Sequence, residues 1–123
     1  MIGLTCRCIL VVEDELLIAL MLQSMLEELG HRVAGRAGTV ADALAIIETD
    51  TQSIDAATLE VNLGGEHSKE VADALKAHGI PFIIITGYSD PEMLADFHGR
   101  PVVHKPIVPR QLEQALQSLG PRR

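Results

Sequence analysis

Three carboxylates stand at the ends of apolar segments that are typical of buried strands. Glu13 and Asp14 directly follow the run Ile9–Val12, and Glu60 lies near the end of the run Ala56–Val61. Like charges brought into one crevice repel each other and lose hydration, so they favour binding of a cation. Carboxylate oxygens suit a hard cation such as Mg²⁺, which keeps several waters and recruits a phosphoryl oxygen.

Two further polar side chains end strand-like runs later in the chain. Thr86 ends the run that starts at Phe82, and Lys105 follows the apolar pair Val102-Val103 and His104. In doubly wound sheets, ligands bind outside the carboxyl ends of the strands, so these groups are expected to meet the three carboxylates. A hydroxyl and an ammonium suit the oxygens of a phosphoryl group. The chemistry predicted at this edge is therefore Mg²⁺-assisted handling of a phosphoryl group.

The segments that position these residues alternate between strand-like and helix-like patterns. Regular alternation with short links predicts five βα units and a parallel sheet covered by helices on both faces. Strands are predicted at 8–12, 32–37, 55–61, 82–86 and 102–104. Helices are predicted at about 15–29, 40–49, 68–78, a short stretch capped by Ser89 or Asp90 with Pro91 in its first turn, and from 109 onward.

Size and charge restrict the function classes. A chain of 123 residues predicts a single domain with a core over about 7–119, no output domain and a frayed end at 121–123. The formal charge of −7 and the 2% aromatic content disfavour direct binding to nucleic acid or to anionic membrane. The apolar run Leu16–Leu22 is far shorter than the about 20 residues of a membrane span. Cys6 and Cys8 point to one face and are interpreted as reduced thiols of a cytoplasmic protein.

Together and in this order, the site residues carry a resemblance to a known family. Glu13-Asp14, Glu60 in the acceptor position, Thr86 and Lys105-Pro106 resemble the response-regulator receiver domain of two-component signalling, over nearly the whole chain. The motifs Pro81-Phe82 and Thr86-Gly87-Tyr88, with Lys105-Pro106, further resemble the FATGUY subgroup of receivers, although Ile85 stands where that subgroup usually has alanine.

The resemblance implies a fold, a metal and a partner class. The expected fold is flavodoxin-like, with sheet order 2-1-3-4-5. The expected Mg²⁺ ligands are Glu13, Asp14, Glu60 and the main-chain carbonyl of Asn62. Thr86 is expected to bond a phosphoryl oxygen, and Lys105 to pair with that group or with the acceptor. The family's Lys-Pro bond is commonly cis. The implied partner is a histidine kinase or a histidine phosphotransfer protein.

Two positions depart from the family's pattern. Val102 stands where many receivers carry a switching Tyr or Phe, for which Tyr88 is a candidate substitute. Glu60 replaces the usual acceptor aspartate and adds about 1.5 Å of reach, the length of one C–C bond. Because a misplacement of about 1 Å costs about 10²-fold in rate, Glu60 is expected to accept a phosphoryl group poorly. It would either imitate the activated state, by bonding Thr86 or Lys105, or coordinate metal and silence the domain. A single engineered substitution would give the same sequence.

The first helix offers a surface for partners. Leu16, Leu17, Leu20 and Met21 widen its apolar face beyond one stripe, which fits either a core helix or a docking surface. Receiver domains use this helix to meet phosphotransfer helices, so docking is expected through Leu16, Leu17 and Leu20, with a homodimer as another option. An alternative function is a degenerate receiver that serves as a metal-independent interaction or dimerisation module. An Mg²⁺-dependent phosphohydrolase is not expected, because the sequence lacks an Asp-x-Asp pair and a Ser or Cys elbow.

Overall fold

The computed structural model describes residues 6–87, 94–97 and 99–122 of the chain. Within those ranges the helices and strands follow one another as β1 (Cys8–Val12), α1 (Leu16–Glu28), β2 (Arg32–Ala37), α2 (Val40–Thr49), β3 (Ala56–Leu59), β4 (Asn62–Leu63), β5 (Glu66–His67), α3 (Lys69–Ala77), β6 (Phe82–Thr86), β7 (Val102–His104) and α4 (Pro109–Gln117). Short 3₁₀ turns cover Thr51–Ser53 and Ala95–Phe97. The short helix predicted around Ser89, Asp90 and Pro91 lies outside the described residues, as does Tyr88.

The central sheet has five parallel strands in the order β2-β1-β3-β6-β7. The predicted flavodoxin-like order is confirmed, with β6 and β7 as the fourth and fifth strands of the prediction. Strands β4 and β5 form a separate antiparallel hairpin that the sequence did not predict. Each of its strands has two residues, too few to show the alternation that identifies a strand.

Apolar side chains leave both faces of the sheet and form two buried clusters. Leu10, Val12, Ala57 and Leu59 pack with residues of α2 and α3. Their neighbours Ile9, Val11 and Ala56 point the other way and pack with residues of α1 and α4. All of β6 is buried, as expected for a strand that is covered on both faces. The sheet is therefore fixed from both sides, and its carboxyl edge stays open for the site.

Local signals set several helix ends where the sequence predicted them. Thr39 caps α2, its hydroxyl oxygen accepting a hydrogen bond from the main-chain nitrogen of Asp42 at 3.0 Å. Gly30 follows α1 with φ of 93°, a conformation that favours glycine. Among the described residues, none of the helices is both long and apolar enough to cross a membrane.

The expectation that the end of the chain frays is wrong for Arg122. Its guanidinium donates to the main-chain oxygens of Thr51 and Ile54 and to that of His78. These carbonyls belong to segments that follow α2 and α3, so one side chain ties the end of the chain across the amino-terminal edge of the sheet. This contact was not predictable from residue types, because the partners are backbone groups distant along the chain.

Candidate functional site

Strand register brings the predicted site residues together at the carboxyl edge of the sheet. Val12 pairs with Leu59, and the main-chain nitrogen of Glu60 donates to the oxygen of Val12 at 3.0 Å. Glu13 and Glu60 therefore leave neighbouring strands at the same level. On the other side, Thr86 ends β6 and its main-chain oxygen accepts from the nitrogen of Lys105 at 2.9 Å.

Lys105 is the centre of the site. Its Nζ donates to Oε1 of Glu60 at 2.7 Å and lies 2.9 Å from Oε1 of Glu13. The Glu13 and Glu60 side chains are 1% and 6% exposed, so two buried carboxylates share one ammonium. Glu15, which the sequence reasoning missed, adds a solvent-exposed carboxylate oxygen 3.9 Å from the same nitrogen. The only sign of it was its position directly after Glu13-Asp14. The Lys105–Pro106 peptide bond is cis, as the resemblance implied.

Burial and charge act in opposite directions on the two titratable partners. Burial raises the pKa of Glu13 above its ordinary value, although contacts with Lys105 and the main-chain nitrogen of Glu15 partly lower it. Burial alone would lower the pKa of Lys105, but the carboxylates of Glu60 and Glu13 outweigh it and raise that pKa overall. The ammonium thus stays charged, whereas burial disfavours the charged form of Glu13, and carboxylates outnumber the single ammonium around Lys105.

Both carboxylate oxygens of Glu60 have donors. Oε2 accepts from the main-chain nitrogen of Val61 at 2.6 Å, while Oε1 is held by Lys105. The main-chain oxygen of Glu60 accepts from the hydroxyl of Ser68 at 2.6 Å. Ser68 was missed by the sequence reasoning, because its role depends on a chain reversal between β3 and α3. These contacts fix both the backbone and the side chain of Glu60.

The remaining predicted ligands line an open cleft. Its walls are Asp14, Glu15, Glu60, Asn62, Gly87 and Lys105. Oδ2 of Asp14 accepts from the main-chain nitrogen of Gly64 at 3.0 Å, and Oδ1 of Asn62 accepts from that of Gly65 at 2.8 Å. Thr86 is fully buried at the end of β6, next to Gly87 in the cleft wall.

The oxygen donors around the cleft can be compared with the ligands that a hard divalent cation such as Mg²⁺ prefers. In the described part of the chain, no three His, Cys, Asp or Glu side chains are grouped as a metal-binding cluster. Asp14, Glu60 and Asn62 nevertheless share the cleft, and Oε1 of Glu13 is buried without a hydrogen-bond donor apart from its ion pair with Lys105. Oxygen donors with excess negative charge and one under-satisfied carboxylate fit Mg²⁺ in chemistry.

Comparison with known proteins decides the family. The model of the response regulator receiver domain matches residues 9–117. The chain belongs to this family. Receiver domains act as signalling switches, typically bind Mg²⁺ for phosphorylation, and interact with histidine kinases or phosphotransfer proteins. The receiver resemblance predicted from Glu13-Asp14, Thr86 and Lys105-Pro106 is therefore confirmed, together with its place in two-component signalling.

Individual receivers resemble the chain at different levels. It is 37% identical over 83 residues to the phyllosphere-induced regulator PhyR of Methylorubrum extorquens, covering 67% of this chain and 31% of that protein. The chain thus spans about a third of that relative's length. The solution structure of SdrG from Sphingomonas melonis Fr1 is 48% identical, with a TM-score of 0.79 and coverage of 90% of this chain and 93% of SdrG. The BeF3-activated conformation of SdrG, from Pseudomonas melonis Fr1, is 49% identical, with a TM-score of 0.75 and coverage of 94% and 96%.

Proposed function

We propose that this receiver domain acts in phosphorelay signalling through protein contact, and that Glu60 is a poor phosphoryl acceptor. The observation that carries the proposal is the engagement of both Glu60 carboxylate oxygens, by Lys105 at 2.7 Å and by the main-chain nitrogen of Val61 at 2.6 Å. An acceptor oxygen must point at the phosphorus atom, and here neither oxygen lacks a donor. Glu60 thereby holds Lys105 in place of a phosphoryl oxygen, which is the contact that mimicry of the phosphorylated state requires.

The likeness to SdrG supports an activated state for this chain. SdrG has a BeF3-activated conformation, and this chain is 49% identical to it over nearly its whole length. In our proposal, the Glu60 carboxylate takes over part of the role that BeF3 has in activating SdrG. The Glu60–Lys105 pair then favours the signalling conformation of the domain without phosphate.

The metal would be held by residues around the cleft. Glu13, Asp14, Glu60 and the main-chain oxygen of Asn62 are the proposed ligands, and Thr86 and Lys105 are the proposed contacts of phosphoryl oxygens. Mg²⁺ would supply positive charge against the phosphoryl oxygens during transfer. The chain's own residues orient the site: Lys105 fixes Glu13 and Glu60, and the turn at Gly64 fixes Asp14.

Titration with Mg²⁺ tests this proposal. We expect the amide resonances of Asp14, Asn62 and Gly64 to shift, because Asp14 and Asn62 line the cleft and the Gly64 amide donates to Asp14. The Asp14→Ala substitution should abolish this response. Asp73→Ala is the matched control, since Asp73 is an exposed carboxylate that pairs with Lys69 on α3. A wild-type spectrum that Mg²⁺ leaves unchanged would favour the alternative, a metal-independent interaction or dimerisation module.

Helix α1 is the proposed docking surface for a histidine kinase or a phosphotransfer helix. The structure leaves Leu16, Leu17, Leu20 and Met21 between 43% and 76% exposed, whereas Leu22 and Leu26 of the same helix are buried. This exposed outer face is compatible with a core helix that carries extra apolar residues, and it supports the docking role proposed here. An apolar patch beside the acidic cleft fits a helical partner that carries its own apolar stripe and a cation.

Charge placed on this surface is expected to weaken partner binding. Leu16→Asp or Leu20→Asp should lower the affinity for a phosphotransfer partner by about tenfold or more, because an anchor side chain is removed and a charge must be desolvated. Calorimetry against a histidine phosphotransfer domain measures this. Ala41→Asp, on the exposed side of α2, serves as control and should bind normally. Unfolding of the Leu variants rather than loss of binding would contradict the docking role.

A further inference from the structure

A tight hairpin contacts both the candidate site and the 3₁₀ turn Ala95–Phe97. Strands β4 and β5 pair Asn62 with His67 and Leu63 with Glu66. The two turn residues, Gly64 and Gly65, have φ of 60° and 97°, and such positive values at both turn positions favour glycine. The hairpin begins two residues after Glu60, so its geometry is directly attached to the acceptor position.

The turn end of this hairpin contacts the site. The main-chain nitrogen of Gly64 donates to Oδ2 of Asp14 at 3.0 Å. Just beyond β5, Ser68 donates from its main-chain nitrogen to the oxygen of Val61 at 2.9 Å and from its hydroxyl to that of Glu60 at 2.6 Å. The hairpin is therefore closed at its base and bonded at its tip to a carboxylate of the site.

The opposite end of the hairpin contacts the 3₁₀ turn Ala95–Phe97. The His67 ring stacks on the Phe97 ring, with centroids 5.3 Å apart and planes at 4°. Nδ1 of His67 accepts from the main-chain nitrogen of Lys69 at 3.0 Å, which fixes the ring, and Nε2 lies 3.7 Å from Oδ2 of Asp96. Phe97 is 3% exposed and belongs to the core cluster under α2 and α3, so movement of this stack would repack buried groups.

We infer that hairpin 62–67 couples Asp14 to the Ala95–Phe97 turn, with His67 as the positioning residue that transmits the change. A cation on Asp14 competes with the Gly64 amide for the same carboxylate. The turn then loses or reorients its hydrogen bond, and the paired strands β4 and β5 carry the displacement to the His67–Phe97 stack. Coupling between sites is reciprocal, so the stack also sets the affinity at Asp14. The cation part of this inference rests on the proposed function.

The test follows the amide resonances of Gly64 and Phe97 under two separate perturbations. One is addition of Mg²⁺ and the other is the Asp14→Ala substitution, which removes the acceptor of the Gly64 amide without metal. Each is applied to wild type, His67→Ala and His67→Phe. We expect both resonances to respond in wild type, the Phe97 response to be lost in His67→Ala, and His67→Phe to restore it by keeping a stacked ring. By reciprocity, His67→Ala should change the dissociation constant of Mg²⁺ by about fivefold.

A control histidine variant tests whether the effect is specific to His67, and the two perturbations distinguish failure of the coupling from failure of the metal site. His78→Ala removes another partly exposed ring that pairs with a carboxylate, Glu48, and should leave the Phe97 response intact. The coupling is overturned if the Phe97 resonance still responds when His67 is replaced by alanine. It is also overturned if, with His67 present, the Phe97 resonance responds neither to Mg²⁺ nor to Asp14→Ala. If Mg²⁺ has no effect but Asp14→Ala reaches Phe97 through His67, the coupling stands and the metal site of the proposed function fails.

Discussion

Replacing Glu60 with aspartate is expected to convert the chain into an efficient phosphoryl acceptor. Incubation with Mg²⁺ and a small phosphodonor should label the Glu60→Asp variant about 10²-fold faster than wild type, the cost of a misplacement of about 1 Å in a positioned reaction. The intact mass of each protein, followed over time, measures the label.

The geometry of the Glu60 side chain explains the direction of this effect. In wild type, the longer side chain turns its Oε2 back to the main-chain nitrogen of Val61 at 2.6 Å while Oε1 remains on Lys105. Aspartate is shorter by one methylene group, so its carboxylate is expected to release one of these donors. An acceptor oxygen would then be available to a phosphoryl group held by Mg²⁺, Thr86 and Lys105.

Two further variants make the result interpretable. Glu66→Asp is the same chemical change at an exposed position of the hairpin and should not alter labelling. Glu60→Gln, which removes the nucleophile, should stay unlabelled. Rapid stoichiometric labelling of wild type at Glu60 would refute the impaired acceptor. A Glu60→Asp variant that gains no label would show that position 60 is not the acceptor position.

The sequence predicted the site's composition better than its internal contacts. Glu13, Glu60 and Lys105 were expected to meet because parallel strands put their carboxyl ends at one edge, and the register of β1, β3, β6 and β7 produces that meeting. The bounds of four strands were readable because β6, for example, is an uninterrupted apolar run, whereas the third strand, predicted at 55–61, spans only Ala56–Leu59. Such features depend on periodicity and composition, which are properties of the sequence alone.

Features that depend on individual hydrogen bonds were not predictable. The orientation of the Glu60 carboxylate is set by a neighbouring amide and by Lys105, which lies 45 positions away. The hairpin is similar, because Asn62–Leu63 and Glu66–His67 are too short to show a pattern and its position depends on contacts with Asp14 and Phe97. Arg122 was misjudged for the same reason, since its partners are carbonyl groups and any sequence supplies those.

Among the substitutions described, removal of the Lys105 ammonium is expected to cause the largest loss of folding stability. Lys105→Met leaves Glu13 and Glu60 buried side by side without a counter-charge, and breaking a buried pair in this way costs about 3–5 kcal/mol. Because the Lys105 side chain is 16% exposed and the cleft admits water, we expect about 2–3 kcal/mol in the free energy of unfolding, below the cost for a fully dry pair. Denaturant titration at neutral pH measures it.

The pH dependence of this loss identifies its cause. Burial already raises the pKa of Glu13, and loss of the ammonium raises it further, so the folded variant binds protons more tightly than the unfolded chain. The stability of the variant must then fall as pH rises above the ordinary glutamate pKa of 4.5, and its deficit against wild type must shrink as pH falls toward that value.

Adding Glu60→Gln to Lys105→Met should restore much of the stability at neutral pH. Lys69→Met, which breaks an ion pair of the same 2.9 Å length on the exposed face of α3, should have a negligible effect. A Lys105→Met deficit that is independent of pH would show that the ammonium contributes through packing and not through the buried carboxylates.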